Sequence, residues 1–280
     1  MAGRRRARIR LSPVWLPTIR AVLTKRWRQS SETEGTEYQR LMARGWNAAD
    51  GLSTSPLWWV ARDMTKLAMD AAMHDSPPPT RPPSPTGLIV FDGGLGAVTV
   101  SIPEYGLSSV SVDALYWSAT DADDGVLRVI PFTADTRVLG LAGERELPLA
   151  MVAQGRGGFF FDMLLRATFA LAMEPRVCET RTAPAGRSEP VPRRYDPSLP
   201  AHRVKMLILR ENLHRPGTEP EPGEDDPTRY THRWIVRGFW RNQTYGPNNS
   251  LRRRQWIPPY VKGPADKPLI VKETVRLWRR

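Results

Sequence analysis

Cysteine is nearly absent from this chain: Cys178 stands alone among 280 residues. One thiol forms no internal disulfide, and a cysteine-based zinc site needs more than one sulfur. Cys178 lies in the stretch EPRVCETR with no activating base beside it, so it reads as a bystander rather than a nucleophile. Such sparing use of cysteine suits a reducing cytoplasm. Histidine is scarce too, and His74, His202, His214 and His232 show no zinc-ligand spacing. No metal site and no cofactor is therefore expected. The motifs G-x-S-x-G and H-E-x-x-H are missing, as is any convincing pair of catalytic carboxylates.

Long hydrophobic runs are lacking as well. The best apolar stretch, residues 158 to 173, contains Asp162 and Arg166 and falls short of the ~20 residues needed to span a bilayer. The first residues resemble the basic start of a signal peptide. Pro13, Pro17 and Arg20 interrupt the apolar part, however, and no small-residue cleavage site follows. Residues 1 to 30 are read as a basic arm, flexible or weakly helical, on a cytoplasmic protein with no membrane association.

Acidic residues are scarce at both ends. The first thirty residues hold nine Lys/Arg and no acid, and residues 229 to 280 hold thirteen Lys/Arg against Asp266 and Glu273. The stretch between them holds nineteen basic and twenty-seven acidic residues, so the formal net charge of +12 is segregated. Clustered positive charge attracts phosphate or acidic surfaces, whereas dispersed charge mainly aids solubility.

Along the chain, residues 55 to 73 read as a helix capped by Ser55 with Pro56 in its first turn, and Met64, Leu67, Ala68 and Ala71 recur at helical spacing. Trp58 and Trp59 are read as core anchors near its start. Residues 31 to 75 are thus a helical segment, and residues 76 to 86 a Pro-rich linker. The remainder, 87 to 280, reads as one α+β domain with a mainly antiparallel sheet and one central helix over residues 158 to 173. Strands are expected at 87–91, 97–102, 109–116, 126–132, 204–209, 232–241 and 269–278. Asp121 to Gly125 suits a hairpin turn better than a calcium loop. Mobile loops are expected at 175–200 and 215–228. Asp92 reads as part of an Asp-Gly-Gly turn, and Gly155 to Gly158 as a flexible turn rather than a phosphate loop.

The carboxy-terminal block carries the chemistry. Side chains alternate along a strand, so residues 232 to 241 would put Arg233, Ile235, Arg237, Phe239 and Arg241 on one face. His232, Trp234, Val236, Gly238 and Trp240 would take the other. Arg252, Arg253, Arg254 and Lys262 follow. Cations that track phosphates, interleaved with rings that stack on bases, are what single-stranded nucleic acid binding requires. The alternatives are a solvated strand face over core tryptophans, or a surface that holds the chain's own acidic loop at 219 to 226.

The run His232-Arg-Trp-Ile-Val-Arg-Gly-Phe-Trp-Arg-Asn-Gln243, with Tyr245-Gly-Pro247, Trp256-Ile-Pro-Pro-Tyr260-Val-Lys-Gly-Pro264 and Pro268-Leu269, resembles the carboxy-terminal signature of a family of proteins found in high-GC Gram-positive bacteria, their plasmids and their phages. Trp59 to Met64 and Pro85 to Phe91 share the resemblance, which covers most of residues 55 to 278 outside the loops. It implies an association with mobile elements and no particular activity. Phe239 departs from the pattern, which has a histidine in that Gly-x-Trp-Arg setting, and this favours binding over catalysis.

The expected function is nucleic-acid binding through Arg233, Arg237, Phe239, Arg241, Arg252, Arg253, Arg254 and Lys262. Two alternatives stand beside it. One is a nuclease-like enzyme using His232 and nearby arginines, and the other is a structural protein docking on an acidic protein partner.

Overall fold

A computed structural model describes residues 11–32, 48–74, 78, 80–102, 106–119, 127–135, 150–151, 158–183, 204–210, 230–264 and 267–271. A short 3-10 turn (Pro13–Trp15) leads into α1 (Leu16–Glu32), and α2 (Ala48–Thr54) precedes β1 (Leu57–Val60) and α3 (Arg62–His74). Then come β2 (Thr86–Phe91), β3 (Ala97–Ile102), β4 (Gly106–Ser111), β5 (Ala114–Ala119), β6 (Leu127–Thr133) and β7 (Ala150–Met151). After α4 (Gly158–Ala172) follow β8 (Cys178–Thr182) and β9 (Val204–Leu209). Four more strands close the series: β10 (Trp234–Val236), β11 (Phe239–Tyr245), β12 (Leu251–Ile257) and β13 (Tyr260–Lys262).

Seven strands form one sheet in the order β7-β6-β5-β2-β1-β9-β8. The middle of that sheet is parallel, β2 with β1 and β1 with β9, and the flanking pairings are antiparallel. The fold is α+β, and its sheet is mixed. Parallel strands are covered on both faces and therefore read as unbroken apolar runs. Leu57-Trp58-Trp59-Val60 and Leu88-Ile89-Val90-Phe91 are such runs, and every residue in them is buried.

Alternation along these strands divides the core in two. Trp58, Val60, Ile89, Phe91, Leu115, Trp117 and Leu207 face α3 and α4, whose Met64, Leu67, Ala71, Leu164 and Leu171 are fully buried. Leu57, Trp59, Leu88, Val90, Tyr116 and Phe132 face the other side, under Leu16, Ile19 and Leu23 of α1 and Leu52 of α2. Each of the larger aliphatic and phenylalanine side chains contributes about 1.5–3 kcal/mol through burial.

The helix expected from Ser55 begins instead at Arg62. The four apolar residues before it have no helical period, and they form the central strand. Ser55 closes α2 by donating its hydroxyl to the Leu52 carbonyl at 2.8 Å. The residues read as a separate helical segment thus supply the middle of the sheet, between β2 and β9. Within the amino-terminal arm, residues 16 onward form a packed helix, and the Arg20 guanidinium donates to the Ser55 carbonyl at 2.5 Å. A second correction is β8, an edge strand inside the stretch expected to be a mobile loop. Its side chains are polar (CETRT), so apolar patterning does not reveal it. The strand expected over residues 109–116 divides into β4 and β5 at Val112-Asp113, where the buried Asp113 carboxylate accepts the Ala134 amide at 2.7 Å. The turn at 121–125, the glycines at 155–157 and the acidic loop at 215–228 lie outside the described residues, as do residues 1–10 of the arm and 272–278 of the expected last strand.

Candidate nucleic-acid interface

The segment from Tyr230 to Val271 packs against α3. Residues three and four apart share a helix face, and Asp63, Lys66 and Asp70 make a polar stripe along α3. Asp63 accepts Arg233 Nη2 at 2.7 Å, while Lys66 Nζ donates to the Leu269 carbonyl at 3.2 Å. Arg233 Nε also donates to the Lys267 carbonyl at 2.6 Å, and the Arg233 backbone bridges in parallel to Leu269. Arg233 is a tie between the carboxy-terminal segment and α3. Its side chain is 12% exposed, so it does not share an outward face with Arg237 and Arg241.

Residues 232 to 241 do not run as one strand either. β10 pairs antiparallel with β13, β11 pairs with β12, and the chain changes partner at Arg237-Gly238. A strand-internal glycine has no side chain to pack and weakens pairing there. The change of partner breaks the alternation on which the three-arginine face depended. Gly263, at the end of β13, has φ +111, and a Cβ there would stand 2.8 Å from the His232 carbonyl oxygen. Only glycine fits that crossing without strain.

The β11–β12 hairpin is the exposed element. At its root Trp256 is buried and Trp240 packs on the α3/α4 core. Beyond the root both faces are open. The register places Trp240, Trp256, Asn242, Arg254, Thr244 and Arg252 on one face. Phe239, Arg241, Gln243, Arg253, Tyr245 and Leu251 take the other. Arg252, Arg253 and Arg254 therefore alternate sides, and the sequence expectation of a single basic face becomes a ribbon that is basic on both.

Its pairing pattern is selective. Arg241 stands opposite Gln255, Arg252 opposite Thr244, Arg253 opposite Gln243 and Arg254 opposite Asn242. No two arginines face each other, which avoids the penalty of directly opposed like charges. No carboxylate stands opposite them across the ribbon, since the sequence has no Asp or Glu between Pro227 and Ala265. Among the described residues none of Arg237, Arg241, Arg252, Arg253 and Arg254 is in an ion pair. Two of them lie over rings instead, Arg254 at 4.7 Å from the Trp240 centroid and Arg253 at 5.5 Å from that of Tyr245. Phe239 is 52% exposed and Tyr245 42%. Asn248 and Asn249 take positive φ (53° and 54°) at the tip, a conformation asparagine tolerates. Lys262 is exposed on β13, opposite Trp234.

His232 is half-buried, with its Nδ1 3.4 Å from the Thr231 hydroxyl. It lines a cavity of about 390 Å3 with Asp70, Tyr230, Trp234, Ile235, Arg237, Ile270 and Val271. Asp70 was not singled out in the sequence. The available signal was the polar stripe of α3, which needed something to face. Elsewhere, Asp92 ends β2 in a turn and pairs with Arg62 at 3.4 Å. Burial raises the Cys178 thiol to about 11, which keeps it protonated at neutral pH. No family model, no curated protein and no solved structure matches this chain. No described helix is long and apolar enough to cross a membrane.

Proposed function

We propose that the protein binds nucleic acid through the β11–β12 hairpin, as an accessory or regulatory factor of the mobile-element kind that the carboxy-terminal resemblance implies. One observation carries this reading: Arg241, Arg252, Arg253 and Arg254 project from both faces of a ribbon and stand opposite only neutral partners. A ribbon built for solubility alone gains from cross-strand acids, and this one has none. Guanidinium groups pair bidentately with phosphate. The exposed rings of Phe239 and Tyr245 give bases a stacking surface. Arg237 and Lys262 extend the basic surface past the root of the hairpin, and Arg233 supports it from below. The test is a titration of labelled single-stranded DNA and RNA, and of duplexes, at low salt. Saturable binding supports the reading, and no binding to any of them ends it.

A second reading is favoured by the cavity that places His232 beside Asp70 and Arg237. In it the protein cleaves nucleic acid with the His232 imidazole as a proton-transfer group. Incubation with RNA and single-stranded DNA, with and without divalent cation, decides it, and cleavage that survives His232→Ala removes that residue from the reaction. An acidic protein partner would exploit the same arginines. A stoichiometric protein recovered by pull-down after nuclease treatment would favour that reading over both.

A further inference from the structure

The seven-stranded sheet ends on one side at β8, and among the described residues no strand pairs with the outer side of β8. The ladder with β9 fixes which groups face outward. Ala183 N–H donates to the Val204 carbonyl and Arg210 N–H to the Val177 carbonyl, both at 2.9 Å. Residues 177, 179, 181 and 183 therefore turn their backbone toward β9, and Cys178, Thr180 and Thr182 turn theirs away. The Cys178 N–H donates to the Glu174 carbonyl at 2.9 Å. The Cys178 carbonyl and both backbone groups of Thr180 and Thr182 lie on the open edge. Thr180, Arg181 and Thr182 are exposed. A row of this kind is a template for another strand. Proteins blunt such edges with proline or with charge. β8 (CETRT) has no proline, and its two charges cancel, because Glu179 accepts Arg181 Nε at 2.7 Å and Nη2 at 3.0 Å.

We infer that β8 pairs with the β8 of a second copy of this chain, joining the two sheets antiparallel about a two-fold axis at Thr180. The charges select that register. With Thr180 opposite its counterpart, Glu179 stands opposite the second copy's Arg181, and Arg181 opposite the second copy's Glu179. These are the non-hydrogen-bonded positions, where facing side chains come closest. Opposite charges attract there and like charges repel. Sliding the axis by one residue, to Glu179 or to Arg181, sets Glu against Glu or Arg against Arg. In the favoured register the Thr180 N–H groups donate to each other's carbonyls, and each Thr182 N–H donates to the Cys178 carbonyl across the axis. The pair within each strand leaves room for the pair between strands. It engages only Nε and Nη2 of Arg181, and a carboxylate accepts at about four sites. The contact is isologous, so it closes at two copies. So short an edge gives a weak dimer that depends on concentration. The pairing needs no nucleic acid, and the dimer would carry two basic hairpins.

Sedimentation equilibrium of the full chain, freed of nucleic acid, tests the edge over about 1 μM to 1 mM. The native chain is expected to shift from monomer toward dimer as concentration rises. Arg181→Glu puts like charges opposite each other on both sides of the axis and should weaken dimerisation about tenfold. Glu179→Arg should do the same. An equimolar mixture of these two variants brings opposite charges together again and should recover the dimer as a mixed pair. Mixing would not rescue chains that had merely misfolded. Thr180→Pro removes the donor on the axis and leaves the β9 ladder intact, since that N–H points away from β9. It should weaken the dimer further, with circular dichroism showing that the variant folds. A native chain that stays monomeric at the highest concentration overturns the inference. So does a dimer that both charge reversals leave unchanged, or a mixture no stronger than its separate components.

Discussion

Arg233 and Asp63 lie 170 residues apart in sequence and meet at 2.7 Å, joining the carboxy-terminal segment to α3. The contact is largely screened from water on the arginine side, at 12% exposure, and less so on the aspartate side, at 30%. Arg233→Ala leaves Asp63 only its longer contact with Lys66 at 3.4 Å, and Asp63→Ala removes the carboxylate that Arg233 meets, so we expect either to cost about 1–3 kcal/mol of stability. A double-mutant cycle in urea denaturation should give a coupling of about 0.5–3 kcal/mol. Additive losses would show that the pair does not hold the segment in place.

Replacing Arg252 and Arg254 with Ala removes two cations from the face of the hairpin that carries Trp240. Affinity for any single strand should fall, and the salt slope should lose about one unit per phosphate contact removed. Stability should fall by about 1 kcal/mol at most, because both side chains are exposed and only Arg254 lies over a ring, that of Trp240. Thermal denaturation alongside the titration checks both expectations.

Phe239→Ala and Tyr245→Ala test stacking independently of charge. Each should weaken single-strand binding by about 1–3 kcal/mol with little change in salt slope. Unchanged affinity would leave the hairpin as a purely electrostatic grip.

Gly263→Ala puts a Cβ 2.8 Å from the His232 carbonyl at φ +111. The expected cost is about 1–3 kcal/mol, read by chemical denaturation, because an alanine there is strained.

Cys178 gives a pH dependence of known sign. Burial raises the thiol from 9.0 to about 11 in the folded protein. The stability this group contributes is present in full below pH 9 and is lost as pH rises toward about 11. Melting curves at pH 8 and pH 10.5 should diverge more in the native protein than in Cys178→Ala. At pH 8 Ellman's reagent should react slowly until denaturant is added, since the thiolate is the nucleophile.

Much of the frame was legible in the sequence. β2 and β9 announce themselves as short apolar runs between breakers, and α4 as a stripe at helical spacing. Met64, Leu67, Ala68 and Ala71 mark α3 correctly, but Leu57 to Val60 were absorbed into that helix. A four-residue buried strand and the first turn of a buried helix look alike when no period can be counted. The binding segment shows a different limit. Alternation from His232 to Arg241 is real in the letters, yet the change of pairing partner at Gly238 comes from β12 and β13, which alternation does not register. Arg233 looked like its neighbours because its partner, Asp63, lies in another element. Asp70 was invisible for the same reason: a carboxylate on a helix acquires meaning from what packs over it.

The central claim is that Arg241, Arg252, Arg253 and Arg254 form a phosphate-binding ribbon. Its most direct test is fluorescence anisotropy of a labelled single strand across a salt series, comparing the native chain with a variant carrying Ala at all four positions. Four phosphate contacts on a single strand give a slope of about −3 in log K against log salt. The native protein should show a slope of that order, and the variant should lose most of both slope and affinity. Equal slopes and equal affinities in the two proteins would contradict the account.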